Sequence, residues 1–101
     1  MNTEQATTLL AQIGRMNVLA ISGGRKSLVD GTLVLPVGSG YSVEIDYVEG
    51  RDTYTVRRVF KRGMKRWVKG QVEDVYCDEV GEIAYQASSF RSYEFGQEVT
   101  V

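Results

Sequence analysis

Residues 41–60 have the sequence YSVEIDYVEGRDTYTVRRVF, and the fold follows from the way their side chains alternate. Up to Tyr47, apolar and polar residues alternate with a period of two, which is typical of a strand with one buried face. The turn-forming pair Glu49-Gly50 comes next, and the alternation then resumes as far as Phe60. The stretch therefore predicts an antiparallel β-hairpin.

The turn also sets the register of this hairpin. When the turn is centred on the Glu-Gly pair, Ile45 lies opposite Tyr54. Val43 then lies opposite Val56, and both pairs share one apolar face. The other face collects polar side chains and is expected to be at least partly solvated. These side chains are Glu44, Asp46, Thr53, Thr55 and Arg57.

Strands are predicted on both sides of the hairpin. Residues 32–37 (TLVLPV) form the strand before it and are joined to it by a turn at 38–40. Pro36 lacks an N–H group, so it belongs at a strand end or a sheet edge. On the other side, a turn at Arg62-Gly63 leads into a strand over 64–69.

The position of Trp67 depends on the length of the turn before it. A two-residue turn pairs Trp67 with Arg58 and places the indole on the core face. A three-residue turn pairs it with Val59 and places the indole outside, with Lys65 and Lys69. Because a slip of one residue moves every side chain to the opposite face, both alternatives stay open.

A further strand is predicted near the N-terminus. Residues 17–22 (NVLAIS) form a short, nearly continuous apolar run bounded by Gly23 and Gly24, which is typical of a central strand. Residues 23–31 (GGRKSLVDG) then predict a polar loop. The segment 22–26 (SGGRK) lacks the GxxxxGK[ST] spacing of a phosphate loop and is interpreted as a turn between strands.

Two amphipathic helices flank the strands. The first is capped by Asn2 or Thr3 and ends at Gly14. The second has Gly81 as its weak point, because a glycine inside a helix costs about 1 kcal/mol. The buried stripe of the first helix is Ala6, Leu9, Leu10 and Ile13. The buried stripe of the second is Val72, Tyr76, Val80, Ile83, Ala87 and Phe90.

Residues 1–101 show no linker, repeat or low-complexity stretch, so we expect a single domain. Both helices need the same face of the sheet, which predicts an α+β fold. Its order is a helix, a four-stranded mainly antiparallel sheet and a C-terminal helix, packed as a two-layer sandwich. Residues 92–101 (SYEFGQEVTV) form either an extra short strand or a loose tail.

The charge of the chain is balanced in total, with 12 basic and 13 acidic residues, but it is uneven along the sequence. The basic stretch, residues 57–69, contains Arg57, Arg58, Lys61, Arg62, Lys65, Arg66 and Lys69. An acidic stretch follows it. Three acidic residues lie four positions apart on the outer side of the predicted second helix: Asp74, Asp78 and Glu82.

Each charged stretch has two interpretations. The basic stretch either contacts phosphates, with Trp67 as a stacking platform for bases, or blunts the exposed strands of a small sheet. We favour the second, because a pI of about 5.4 gives no bulk attraction to nucleic acid. The acidic residues form either a face for a basic partner or, as we favour, the solvated side of a helix.

The residues that most enzymes use are missing. The chain has no His, which removes the commonest general base and metal ligand. Its single Cys77 has no His to activate it and is expected to be a half-buried structural thiol. We therefore expect no catalytic residue, no metal site and no cofactor. Without a signal peptide or a long apolar run, the sequence predicts a cytoplasmic protein.

Two segments resemble a known class of protein. The first contains Asp52, Tyr54 and Val56 as an Asp-x-Tyr-x-Val step. The second is 72–90 (VEDVYCDEVGEIAYQASSF), which opens with a Val-x-x-Val-Tyr-x-Asp pattern. With these motifs, the chain resembles a family of small uncharacterised bacteriophage and mobile-element proteins, which are short α+β accessory proteins. The resemblance implies expression in the cytoplasm of an infected or lysogenic bacterium, and it implies no activity.

Together these features predict a non-enzymatic accessory protein that binds a macromolecule. The leading hypothesis is a protein partner, either a host factor or a second copy of the chain, because the surface offers charges of both signs and several Tyr. The alternative is nucleic-acid binding through residues 57–69, with Trp67 among them. A small enzyme is a weaker third hypothesis, because His is missing. Neither membrane contact nor a small-molecule substrate is indicated.

Overall fold

A computed structural model describes residues 1–92 and 94–97 as an α+β fold, which confirms the predicted class. The α-helices within these residues are α1 (Thr3–Ile13), α2 (Arg15–Ser22) and α3 (Val80–Ser88). The strands are β1 (Ser27–Val29), β2 (Thr32–Gly38), β3 (Tyr41–Val48), β4 (Thr53–Arg62) and β5 (Lys65–Val75). They form one antiparallel sheet in the order β1-β2-β3-β4-β5, so the sheet has five strands where the sequence predicts four.

The hydrophobic core lies between the three helices and one face of the sheet. The strands contribute buried side chains that include Leu33, Leu35, Val43, Ile45 and Val56. The helices contribute buried side chains that include Leu9, Ile13, Val18, Ile21, Val80 and Ala84. We call the opposite side of the sheet the open face, because no described helix packs on it.

The central hairpin forms as predicted, but its register differs by two residues. Ile45 lies opposite Val56, and Val43 lies opposite Arg58. The predicted two-residue turn is wrong because the connection is longer: a 3-10 turn at Glu49–Arg51 is followed by a residue in the left-handed region. A shift of two residues keeps each side chain on its own face, so the predicted apolar and polar faces survive.

The expected solvation of the polar face is confirmed only in part. Asp46 and Arg57 are half-buried there, whereas Glu44, Thr53 and Thr55 are buried. These residues lie on inner strands of the sheet, where Arg66 and Lys61 reach Glu44 and Arg57 reaches Asp46.

The strand predicted over 17–22 is wrong, because this run lies in helix α2. Val18 and Ile21 are buried, a spacing of three residues that a helix places on one side. Four apolar residues in a row, Val18 to Ile21, do not distinguish a buried strand from a buried helix. The loop predicted over 23–31 is wrong in part, because it contains β1, which pairs with β2.

The start of the C-terminal helix is also predicted too early. β5 continues through Val72, which lies opposite Val56, to Val75, which lies opposite Tyr54. Both valines therefore complete the core side of the sheet. A β-bulge at Asp74 (φ 56°) bends the strand before the chain turns into α3.

Other predicted boundaries are confirmed. Asn2 caps α1: its side chain accepts a hydrogen bond from Gln5 N, while the Gln5 side chain accepts one from Asn2 N. Gly14 ends the helix. The turn predicted at 38–40 joins β2 to β3, and Pro36 lies beyond the part of β2 that pairs with β1.

The segment after α3 folds back onto β5. Phe95 is buried, and Gln97 N donates to Gln71 O at 3.3 Å. The predicted short strand or loose tail over 92–101 falls partly on Tyr93 and 98–101, which lie outside the described residues. None of the described helices has the length and apolar character needed to cross a membrane.

Gly81 lies where α3 approaches the end of α1. A Cβ atom at this position would be 2.7 Å from Ile13 O and 3.0 Å from Asn17 Nδ2. The sequence predicts this glycine to be a weak point of the helix. In the fold, the missing side chain is what lets α3 pack against α1 at this distance.

We predict that Gly81→Ala destabilises the protein by about 1–3 kcal/mol, the usual cost of an added methyl group in a packed contact. Helix propensity alone predicts the opposite sign, a gain of about 1 kcal/mol, so urea unfolding separates the two effects. Gly50→Ala is the matched control, because a Cβ there meets no atom within 4 Å. If Gly81→Ala is as stable as the unmodified chain, the close approach of α1 and α3 is wrong.

Candidate binding surface

The basic stretch divides into side chains with partners inside the protein and side chains at the turn between β4 and β5. Arg62 and Lys65 flank this turn, and their side chains form no ion pair with any described residue. Lys69 is half-buried at a bulge in β5. The side chains with internal partners include Arg57, Arg58, Lys61 and Arg66.

Arg58 ties the helix layer to the sheet. It lies on the core side of β4 and is 5% exposed. Its Nε donates to Ala87 O at 2.7 Å and its Nη2 donates to Gln86 O at 2.9 Å, so it caps the last turn of α3. The C-terminal end of a helix carries partial negative charge, which favours a cation there. Burial lowers the pKa of Arg58 from its ordinary value, yet guanidinium remains charged at neutral pH.

Glu44 holds two more of the basic residues on the open face. Its side chain is 8% exposed, and its Oε1 accepts from Arg66 Nη2 at 2.6 Å. Lys61 Nζ lies 4.0 Å from its Oε2. A buried carboxylate needs such partners because removing it from water is costly. Arg66 and Lys61 therefore offer less net charge to an external partner than the sequence indicates.

Asp46 is the second acidic centre of the open face. It accepts hydrogen bonds from Thr32 Oγ1 at 2.5 Å and from Arg57 Nη1. Burial alone would raise the pKa of Asp46, but the hydrogen bonds from Thr32 and Arg57 outweigh it and lower the pKa below the ordinary 3.8. Arg57 is fixed from its other side, because its Nε donates to Gln71 Oε1 at 2.9 Å.

The turn between β4 and β5 leaves a distinct set of side chains exposed. We call them the hairpin-tip surface: Arg62, Met64, Lys65 and Trp67. Met64 is fully exposed, and Trp67 is 36% exposed, which is high for an indole. The set therefore combines two cations without a described acidic partner and two large apolar side chains.

The register of Trp67, left open by the sequence, matches neither alternative. Arg62 lies opposite Lys65, so the turn has two residues but sits one position later than predicted, and Trp67 lies opposite Phe60. The indole is thus on the helix side of the sheet, in contact with the Phe60 ring at 5.6 Å between centroids. It remains partly exposed because it lies beyond the end of α3.

Trp67 is the last member of an aromatic row that crosses three strands. The Phe60 ring lies 5.0 Å from the Tyr41 ring, and Tyr41 stacks on Phe90 at 3.9 Å. Tyr41, Phe60 and Phe90 are not predicted from the sequence as members of a site. The hairpin pattern places Tyr41 and Phe60 on one face, but the predicted register puts Tyr41 opposite Arg58, and nothing in the sequence places Phe90 beside them.

The acidic residues do not form the helical ridge that the sequence predicts. Asp74 lies in β5 and pairs with Arg51 at 2.9 Å, Asp78 lies in the following turn, and Glu82 lies in α3. This prediction is wrong because β5 extends to Val75. The three carboxylates therefore share no helix face, and they carry no argument for a partner face.

The structure also differs from two smaller predictions, on Cys77 and on the segment 22–26. Cys77 is exposed and not half-buried, because it lies in the turn before α3 and not on a helix. The segment 22–26 ends a helix where a turn between strands is predicted, and Ser22 Oγ donates to Arg25 O at 2.5 Å. Among the described residues, no group of three or more potential ligands is placed to hold a metal ion.

Comparison of the chain with family models, curated proteins and solved structures gives no match. The candidate surface therefore rests on the geometry of the chain itself.

We predict that Asp46→Asn lowers the free energy of unfolding by roughly 1–2 kcal/mol at neutral pH, because Arg57 loses its charged acceptor. Because the folded-state pKa of Asp46 is lowered, its contribution is complete above the ordinary value of 3.8 and is lost as the pH falls through the folded value. Urea unfolding of the variant and the unmodified chain should therefore differ at neutral pH and converge in strong acid.

Asp78→Asn is the control, because Asp78 is exposed and has no described ion-pair partner. We expect it to change the unfolding free energy by less than about 0.5 kcal/mol. A deficit of Asp46→Asn that stays constant down to strong acid would contradict the assignment of Asp46 as a stabilising carboxylate.

Proposed function

We propose that this chain is a non-enzymatic binding module that docks a protein partner on the hairpin-tip surface. The observation behind the proposal is the joint exposure of Met64 and Trp67 beside two cations that have no described acidic partner. Trp and Arg are enriched among residues that dominate protein interfaces, and Met adapts to irregular partner surfaces. A surface built from these residue types favours recognition of a protein.

The charges indicate what this partner presents. Arg62 and Lys65 flank the apolar pair, so a complementary segment carries acidic side chains around an apolar anchor. The aromatic row behind Trp67 supports the indole from one side, which keeps its position fixed before binding. A pre-positioned side chain loses less conformational entropy when the partner docks.

Nucleic-acid binding is the second candidate, because the same tip combines exposed Trp67 with Arg62 and Lys65. The ion pairs that other basic residues form inside the protein argue against nucleic-acid binding. Arg57, Lys61 and Arg66 face carboxylates of the open face, so few cations remain for phosphates. Since affinity for nucleic acid rises with the number of phosphates that are neutralised, a protein partner fits this surface better.

The proposal includes a cytoplasmic setting in a bacterium that carries a phage or mobile element. It rests on the resemblance of segments 52–56 and 72–90 to the accessory proteins named above. In that setting the partner is a protein of the host or of the element.

We predict that a benzophenone amino acid placed at Met64 forms a discrete covalent adduct when the chain is irradiated in bacterial lysate. The adduct should weaken at least about fivefold when Trp67→Ala is added, as expected for a central interface residue. Met16, an exposed methionine on α2, is the matched position and should give no such adduct. Adducts of the same pattern from both positions, or none from position 64, would contradict the proposal.

Nucleic acid is tested separately with a labelled single-stranded oligonucleotide and fluorescence anisotropy. At near-physiological salt we expect no saturable binding. If the oligonucleotide does bind, and Arg62→Glu with Lys65→Glu abolishes the binding while Arg15→Glu with Lys26→Glu does not, the second candidate replaces the first.

A further inference from the structure

A groove of about 360 Å³ lies between α1, α2 and the loop that follows α2. Its volume falls in the range of small-molecule sites, roughly 300–1,000 Å³. Leu19 is 46% exposed beside it, which is high for a leucine. The apolar side chains among the described lining residues are Leu10, Ala11, Val18 and Leu19.

The break between α1 and α2 produces the groove. A single residue, Gly14, separates the two helices, and its φ of 92° is not helical. The second helix therefore does not continue the axis of the first. Ala11 lies near the end of α1, and its small side chain leaves the space between the helices open.

Two cations also line the groove. Arg15 begins α2, Lys26 precedes β1, and both are exposed. Neither side chain forms a hydrogen bond or an ion pair with a described residue. Gly14 gives α2 no side-chain cap, so the partial positive charge at the start of the helix adds to that of Arg15. The described lining residues include no acidic side chain.

We propose that this groove binds a medium-chain fatty acid. The alkyl chain lies along the apolar wall, where each buried methylene group strengthens binding about fourfold. The carboxylate accepts charge-assisted hydrogen bonds from Arg15 and Lys26 at the border of the groove.

Both parts of the groove are needed to select this ligand. A small inorganic anion would leave the apolar wall exposed to water, so it would gain nothing from the hydrophobic effect. An alkyl chain with a cationic head would meet repulsion from Arg15 and Lys26. An apolar chain with an anionic end satisfies both.

The groove has no residue in common with the hairpin-tip surface. The fatty-acid site therefore does not depend on the proposed protein partner, and either one can fail without the other.

Two-dimensional NMR of the isotope-labelled full chain tests the proposal with octanoate, hexanoate and octyltrimethylammonium, each below the concentration at which micelles form. We expect octanoate to produce saturable shifts centred on the backbone of Ala11 and Leu19. Hexanoate should bind about tenfold more weakly, as expected for the loss of two buried methylene groups. The cationic compound should bind more weakly than octanoate.

Three results of the titration overturn the proposal: no saturable shift with octanoate, shifts centred on the hairpin-tip surface, or equal affinity for the cationic compound. Vesicles of anionic phospholipid are a separate arm. If they bind the chain while octanoate does not, the exposed apolar residues contact a membrane surface, and the proposal is also overturned.

Filling the groove tests its shape. Ala11→Leu adds an apolar side chain to the wall and should weaken octanoate binding at least about tenfold. Ala20→Leu is the matched control, because Ala20 is exposed on α2 and does not line the groove. Undiminished binding in Ala11→Leu, or equal weakening in Ala20→Leu, contradicts the site.

Removing the two cations tests the head group. Arg15→Gln with Lys26→Gln should weaken octanoate binding about fivefold and leave the binding of 1-octanol unchanged. Arg51→Gln with Arg91→Gln removes the same number of charges outside the groove and should have little effect. Equal weakening by the two double variants shows attraction to overall charge and overturns the proposal. Thermal unfolding of each variant confirms that the fold is retained.

Discussion

The contact between the Arg58 guanidinium and the last carbonyls of α3 determines how the helix layer sits on the sheet. A charged side chain on the core side of β4 loses its hydration, at a cost of several kcal/mol, unless oxygen acceptors replace the water. Hydrogen bonds to a charged group contribute about 1.5–3 kcal/mol each, so the two bonds to Ala87 O and Gln86 O offset much of that cost. For this reason α3 ends above Arg58. Beyond that point β4 and β5 continue without a described helix over them, and the aromatic row that ends at Trp67 stays partly exposed.

The cost of burying a charged group also explains why the basic stretch offers less positive charge to a partner than its sequence indicates. On the open face, Glu44 is buried and Asp46 is half-buried, and each has cationic partners. Arg57, Lys61 and Arg66 supply them. The hairpin-tip surface is what remains after these internal pairings, and its cations belong to the turn, where no carboxylate of a described residue reaches them.

Much of the fold follows from the sequence because local patterns and long-range packing agree. The alternation in 41–60 assigns each side chain to one face of the sheet, although it does not assign its partner across the hairpin, and the glycines at 38–40 assign the turn between β2 and β3. Other segments are compatible with two different structures. The four apolar residues at 18–21 suit a helix or a strand, and Val72 and Val75 suit the apolar side of a helix as well as the core side of β5. The choice between them depends on which neighbours are present, and sequence periodicity does not contain that information. The sequence predicts the candidate site as the continuous basic stretch 57–69. Acidic partners distant in sequence, such as Glu44 for Arg66, determine which of its charges stay available to a partner.

The contact between Arg58 and α3 is tested most directly by hydrogen exchange of the arginine Nε–H groups, resolved by nuclear magnetic resonance. Arg58 Nε–H is buried and bonded to Ala87 O at 2.7 Å, whereas Arg62 is exposed at the turn. We predict that Arg58 Nε–H exchanges at least about a hundredfold more slowly than Arg62 Nε–H, as expected for a group that exchanges only when the fold opens. Equal exchange rates for the two groups would show that α3 does not hold Arg58, which contradicts the contact between Arg58 and the last carbonyls of α3.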